Sequence, residues 1–377
     1  MGKKCPFVIA LISSLGLASA HAMPEMKFGD NAELFLTGTA SIGYDDNIFL
    51  SSGSKTGDTI FNFAPGIDLP FGTSSTLSGD FLARVDFLEY AEHSAEDAIL
   101  PDIRFSSKYD AGKTKFNVTA SYQDVAQNNA TIRLNGLVVQ TDLTNIFVYG
   151  ESGLTEKTSV GVGVKYNDTT YNQPQFDDSS TWSVPVDIYY GFSPKTSVSM
   201  GYRYSDSTVS GNGVDNSDNF FNVGARGEFT PLLTGQFRIG YDELEYAHGG
   251  SKSSQLGVDS TFVYTYSPKT TYTLGINNFF ANSGIGVVTR DLNVAISGTT
   301  AVTNEWSVTP TIGYSHVAYP GTPERIDNVW QVQVALSYAI NAYSTVTMAV
   351  AANDDNSNLP GVSFNEARAT LGVHLRF

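Results

Sequence analysis

Four histidines lie beyond the first 22 residues, His93, His248, His316 and His374, and two of them have acidic neighbours that could support proton transfer. His93 stands among Glu92, Ser94, Glu96 and Asp97, and His248 follows Asp242, Glu243 and Glu245. Hydrolytic chemistry would also need a serine held beside its base and a third group orienting that base. No spacing in this chain marks such a set. A metal-ligand spacing, a phosphate loop and a dinucleotide fingerprint are equally missing, so the sequence predicts no catalytic residues, no cofactor and no bound metal.

The remaining chemistry is electrostatic. Arg84, Asp86, Arg104, Lys108, Lys165, Arg203, Arg226, Glu228, Arg238, Asp259, Asp291 and Arg368 fall on the parity opposite to the apolar residues of their segments. If the apolar parity faces lipid, these twelve point into a lumen. There they pair across the wall, or their unpaired members set ion and solute selectivity.

The elements that would position them are strands. Residues 34–44 alternate Leu34, Leu36, Gly38, Ala40, Ile42 and Tyr44 against Phe35, Thr37, Thr39, Ser41 and Gly43, and residues 180–192, 304–316 and 327–340 repeat the pattern. A period of two with one wet face marks half-buried strands, and no helical period competes with it. The last segment, 365–377, places Ala367, Ala369, Leu371, Val373, Leu375 and Phe377 on one face and Glu366, Arg368, Thr370, His374 and Arg376 on the other. Its terminal aromatic resembles the closing strand of bacterial outer-membrane barrels, whose assembly machinery reads such a residue, so Phe377 is the candidate assembly signal.

Residues 1–22 read as a secretory signal: Lys3 and Lys4, an apolar stretch from Phe7 to Leu17, then Ala20-His21-Ala22. The single cysteine, Cys5, would leave with it, so no disulfide or cysteine-based metal site is expected. A net charge of −16 argues against nucleic acid as a partner. With 12% aromatic residues, 35 glycines and no apolar run long enough for a spanning helix, the composition leaves a transmembrane β-barrel open.

Turns sharpen this. Short ones such as Ser193-Pro-Lys-Thr196, Ser267-Pro-Lys-Thr270 and Asn341-Ala-Tyr343 alternate with longer polar connections near 45–58, 90–99, 124–139, 168–179, 206–217, 281–287, 317–327 and 353–364. A soluble β-sandwich has no reason to segregate short from long connections, whereas an outer-membrane barrel has short periplasmic turns and longer extracellular loops. The expectation is therefore an all-β protein: one transmembrane antiparallel up-and-down barrel of about 18 strands over 34–377, with 16 as the fallback and 23–33 as a short periplasmic lead. The least regular strand is 139–150, where apolar residues occupy both parities.

One string is more specific. Ala40-Ser-Ile-Gly-Tyr-Asp-Asp-Asn-Ile-Phe-Leu50 resembles the signature near the start of the β-barrel porin-2 family, carried by Tyr44, Asp45, Asp46, Asn47 and Phe49. The Ser-Pro-Lys-Thr turns followed by Ser-Val-Ser-Met-Gly-Tyr-Arg-Tyr (197–204) resemble that family's repeating hairpins. The resemblance covers essentially the whole chain after residue 22 and offers no catalytic residues. It implies an outer-membrane protein of a Gram-negative-type bacterium that passes polar solutes or ions through a water-filled lumen. Some members resemble outer-membrane proteins of exopolysaccharide operons, so polysaccharide export is an alternative, and a structural or adhesive surface barrel is another. Export would call for aromatic platforms in the lumen, with Phe35, Tyr189, Phe220 and Phe279 as inward candidates. Expected partners are outer-membrane lipid and lipopolysaccharide, the barrel-assembly machinery, small polar solutes or polysaccharide, and a second copy of the chain. The acidic loops predict a mild preference for cations at the rim.

Overall fold

The computed structural model describes residues 26–28, 31–129, 132, 136–247, 251–321 and 323–377. The region expected to be a leader and His248 lie outside the described residues. The elements are β1 (Met26–Phe28), β2 (Ala32–Asp45), β3 (Asp58–Phe71), β4 (Leu77–Tyr90), β5 (Ala98–Asp110), β6 (Thr114–Ala126), β7 (Gln140–Gly153), β8 (Thr158–Tyr171), β9 (Ser179–Gly191) and β10 (Thr196–Val209). They continue as β11 (Asn216–Thr230), β12 (Leu233–Tyr246), β13 (Lys252–Ser267), β14 (Thr270–Asn282), β15 (Val288–Ala301), β16 (Trp306–Tyr319), β17 (Arg325–Asn341), β18 (Ser344–Ser357) and β19 (Phe364–Arg376). A single turn of 3₁₀ helix, Ser94–Glu96, interrupts the β4–β5 connection.

Each barrel strand pairs antiparallel with its sequence neighbour, and β19 pairs with β2, which closes the sheet. Closure leaves no open edge, the condition for a sheet to sit in hydrocarbon, where an unpaired backbone group costs several kcal/mol. Among the described residues, the 18 strands β2 to β19 form this barrel; β1 only clips onto the start of β2. The even number returns the chain to the side on which the barrel began.

Register fixes the faces. Ile42 lies opposite Leu371 and Tyr44 opposite Ala369, and Ile42, Tyr44, Leu371 and Val373 are exposed to the outside. Their neighbours Thr39 and His374 meet inside, in a 3.1 Å hydrogen bond. Strand β7, where the sequence pattern blurs, sends Ile146 and Val148 outward and Phe147 and Tyr149 inward. Its apolar residues sit on both parities because this wall of the lumen is itself aromatic.

Outward aromatics gather in cross-strand pairs near the two ends: Tyr166–Trp182 at 4.6 Å and Tyr314–Trp330 at 4.8 Å toward the long-loop side, Trp306–Tyr338 at 4.6 Å and Tyr109–Phe116 at 6.2 Å toward the short-turn side. Amphipathic rings suit the two lipid–water interfaces. Strands of 13 to 17 residues exceed the roughly 9–11 needed to cross a bilayer, so they continue beyond these girdles. For this reason the long connections are shorter than the sequence suggests: 210–215 rather than 206–217, and 358–363 rather than 353–364. The β12–β13 connection, 247–251, is an additional one on this side.

Candidate functional site: the lumen and its outer mouth

Following the register around the barrel places all twelve charged residues named above on inward faces. Arg84 lies opposite Asp102, Asp86 opposite Leu100, Arg104 opposite Leu82 and Lys108 opposite Ser78. Lys165 sits between Phe147 and Ser183, and Arg203 between Pro185 and Phe220. Arg226 faces Ser197, Glu228 faces Thr234, and Arg238 lies between Gly224 and Asp259. Asp291 lies opposite Phe279, and Arg368 opposite Ala351 and Asp45.

The arginines are all paired. Arg84 holds Asp86 and Asp102 at 3.1 and 3.2 Å, and Arg104 reaches Asp102 at 2.8 Å. Arg226 binds Glu151 at 2.6 Å, and Arg238 binds Asp187 at 3.1 Å with Asp259 at 3.8 Å. Arg203 binds Asp218 at 2.8 Å and approaches Asp242 at 3.6 Å; Arg368 binds Asp45 and Glu366, each at 2.7 Å. Glu228 is taken by Lys195 of a periplasmic turn at 2.7 Å. Lys108 and Lys165 make no ion pair among the described residues.

The four aromatics named above as inward candidates, Phe35, Tyr189, Phe220 and Phe279, are covered. Arg203 lies 5.0 Å from the centroid of Phe220 and 4.6 Å from that of Phe279; Arg226 stacks on Tyr189 at 3.3 Å and Arg376 on Phe35 at 3.6 Å. Each ring is at least 97% buried. Cation–π stacking uses the faces that a gliding sugar would need.

The outer mouth is bridged by the β14–β15 hairpin. Pairing of β14 with β13 stops at Asn278 and Val258, while β14 and β15 stay paired to Asn282 and Val288. The hairpin therefore peels off the wall and bends inward. Phe280, whose parity would point it at lipid, is buried instead against Leu244 of β12 and Val288. Arg290 Nη2 donates to Ser253 Oγ at 2.7 Å, and Asn216 Nδ2 donates to Asn282 Oδ1 at 2.9 Å. At the tip, Asp177 N–H donates to Gly284 O at 2.7 Å, from the loop between β8 and β9. Gly284 is a close approach: a Cβ there would lie 2.6 Å from Ile132 Cγ2 and 2.9 Å from Tyr171 Cζ. Tip and partners thus belong to opposite sides of the barrel.

The 46–57 loop also turns inward. Ile48 and Phe49 pack with Tyr90 and Val138, Phe49 meets the edge of His93 at 5.6 Å, and Leu50 packs on Val329 and Phe364. Leu50 holds a left-handed backbone, φ 51°, and its N–H donates to Asn47 O at 2.9 Å. That conformation is costly for a leucine and is held by the packing around it.

Carboxylates of the mouth act as staples for backbone N–H groups. Asp97 accepts from Tyr90, Glu96 from Val138, Asp178 from Tyr171 and Asp215 from Val209, all within 2.8 Å. Asp58 accepts from the N–H groups of Glu92 and His93 and lies 2.8 Å from His93 Nδ1. The acid cluster around His93 thus ties loops together. His316 bonds Asn328 at 2.9 Å and His374 bonds Thr39, so the described histidines are scattered. No group of three metal-ligating side chains occurs among the described residues.

The Tyr44-to-Phe49 string is a latch across the seam that closes the barrel. Asp45 is the inward partner of Arg368. Asp46 prolongs the β2–β19 ladder: its N–H donates to Ala367 O at 3.1 Å and its carboxylate accepts the Ala367 N–H at 2.8 Å. Asn47, fully buried, donates through Nδ2 to Asn365 O at 2.8 Å and Ser51 O at 3.1 Å, and accepts Ser51 N–H at 2.9 Å. At the other end of the seam Phe377 exchanges two backbone hydrogen bonds of 2.9 Å with Leu36 and stacks on Tyr343 at 5.8 Å.

A family model described as "Putative beta-barrel porin 2" matches residues 37–377. The chain belongs to this family. It is thus an outer-membrane porin of the Gram-negative type, a channel for small solutes rather than an enzyme. Among solved structures, a BenF-like porin from Pseudomonas fluorescens Pf-5 is similar over 94% of this chain and 100% of its own, with a TM-score of 0.50 and 10% identity. The outer membrane protein opdK from Pseudomonas aeruginosa matches over 92% of this porin and 99% of its own chain, at TM-score 0.48 and 10% identity. OccAB4 from Acinetobacter baumannii matches with the same coverages and TM-score at 12% identity. At these identities the likeness concerns the barrel fold alone. A search of curated proteins found no match.

Two features of this porin had no signal in its sequence. Turn residues mark the tip of the β14–β15 hairpin but not its direction, and the family-like string shows a strand end but not its partners on β19.

Proposed function

We propose that small polar solutes and ions cross through the charged lumen, entering around the β14–β15 hairpin, with cations favoured over anions. The observation that carries this reading is the excess of carboxylates inside. Asp45, Asp68, Asp80, Glu151, Asp187, Asp218, Asp242, Asp327, Asp355 and Glu366 join the inward acids named above, against Lys115, Arg325 and Arg376 as the further inward cations of the barrel strands among the described residues. Fixed negative charge raises the local cation concentration, and the effect weakens with salt. In planar bilayers under a potassium chloride gradient, the reversal potential is expected to have the sign of cation selectivity and to shrink in molar salt. An anion-selective sign would overturn the preference while leaving the channel.

The covered rings of Phe35, Tyr189, Phe220 and Phe279 give polysaccharide export no support. Contact with lipopolysaccharide fits an outward feature: Asp168, Asp206 and Glu243 each accept from the tyrosine hydroxyl two residues earlier, at 3.2 to 3.4 Å, just above the aromatic girdle. Carboxylates at that level suit divalent cations bridging to lipid phosphates. Export directed by residues 1–22, a periplasmic lead over 23–33, Phe377 as the residue read by the assembly machinery, and self-association belong to the same proposal.

A further inference from the structure

Lys165 is the exception on the inner wall. Six inward arginines find carboxylates within 3.2 Å, yet this ammonium has neither an ion pair nor a hydrogen bond among the described residues. The opposite charge that acts on it, Asp259, is already engaged by Arg238 at 3.8 Å. Lys108 is also unpaired, but it is exposed, and a solvated ammonium needs no partner. Lys165 is half-buried, and taking an ammonium out of water without an acceptor is costly.

Its surroundings are rich in donors. Asn167 lies on the same inward face about 7 Å along the strand. It is 95% buried, and its Nδ2 has no partner among the described residues. Two strands away, Arg203 Nε is likewise buried without an acceptor. Phe147, directly across the β7–β8 ladder from Lys165, is stacked with Tyr149 at 5.8 Å and supplies an apolar floor. An ammonium and an amide lacking acceptors beside an aromatic surface match a carboxylate on a small body. Asp259, whose charge reaches Lys165, would repel a second negative charge.

We propose that Lys165 is the docking point for the carboxylate of a small monoanionic solute inside the lumen, with Phe147 as its floor. This deepens the channel reading and rests on it. In a lumen that favours cations overall, one unpaired lysine admits an anion by a specific contact rather than by its field. The site would act as a brief stop, because a single charge-assisted contact holds a solute without trapping it.

The test uses the full chain purified in detergent, with gluconate as the probe. Saturation-transfer NMR is expected to show gluconate bound to the wild type. Lys165→Met and Lys165→Gln should bind about tenfold more weakly, the loss of one charge-assisted hydrogen bond. Lys165→Arg and Lys108→Met should stay close to wild type. Equal binding by Lys165→Met, or no binding by the wild type, would overturn the proposal. In bilayers, gluconate should interrupt the wild-type current and spare that of Lys165→Met. A chain that binds gluconate through Lys165 but never conducts would instead count against the channel reading and leave the docking point standing.

Discussion

Replacing Arg203 with alanine is expected to free the β14–β15 hairpin and to give a channel with higher, noisier conductance and lower stability. Arg203 does two jobs with one planar group. Its edge bonds Asp218 and approaches the fully buried Asp242; its face covers Phe220 of the wall and Phe279 at the root of the hairpin. Phe220 and Phe279 themselves meet edge to face at 5.2 Å. Removing the guanidinium leaves two buried carboxylates without their cation, a loss of about 3–5 kcal/mol. Lysine would keep the charge but not the plane, so Arg203→Lys should restore most of the stability and little of the quiet conductance.

A second variant isolates the hairpin from the charges. Gly284→Val places a branched side chain where Ile132 and Tyr171 already stand, so the tip must move. It is expected to raise single-channel conductance while leaving the Arg203 cluster intact. If both variants conduct as the wild type does, the hairpin does not limit flow. If only Gly284→Val changes conductance, the tip contact is the restraint and the Arg203 cluster serves stability alone.

Strand parity was legible because lipid imposes it locally. Each outward position must be apolar wherever it occurs, so a period of two survives along the chain, and eighteen strands can be counted from it. The parity fails at Phe280, and the reason is nonlocal. Whether β14 follows β13 to its end depends on Leu244 of β12, against which Phe280 packs, and on Arg290 of β15, which bonds Ser253. Ion pairing was hidden for the same reason. Arg226 meets Glu151 across the lumen wall from four strands away, and Arg368 meets Asp45 only because the barrel closes. The acidic mouth was visible as composition, but composition does not distinguish a solvated carboxylate from one that staples a loop. In β7, the inward Phe147 and Tyr149 made an ordinary strand look irregular.

The largest loss of stability from a neutral side chain is expected at Asn47. It has no charge and touches no solvent, yet it joins three segments: its own turn through Ser51, β19 through Asn365 O, and β2 through its N–H to Asp45 Oδ1 at 2.8 Å. Asn47→Ala removes both amide bonds to carbonyls and the acceptor for Ser51 N–H. Each buried polar group left unpaired costs about 1–3 kcal/mol, so a total above about 3 kcal/mol follows. Asn47→Asp should be worse, because it turns a donor facing two carbonyls into a charged acceptor. Asp46→Asn is the mild comparison: it stays half-exposed, keeps an acceptor for Ala367 N–H and loses only the ion pair to Lys55 at 2.7 Å, worth about 0–1 kcal/mol. Urea unfolding in lipid vesicles, followed by the heat-dependent mobility of the folded barrel on gels, reads all three. Asn47→Ala unfolding within about 0.5 kcal/mol of wild type would show that the string only turns the chain. The expected order, Asp46→Asn above Asn47→Ala above Asn47→Asp, would instead make it the clasp that holds the first strand to the last.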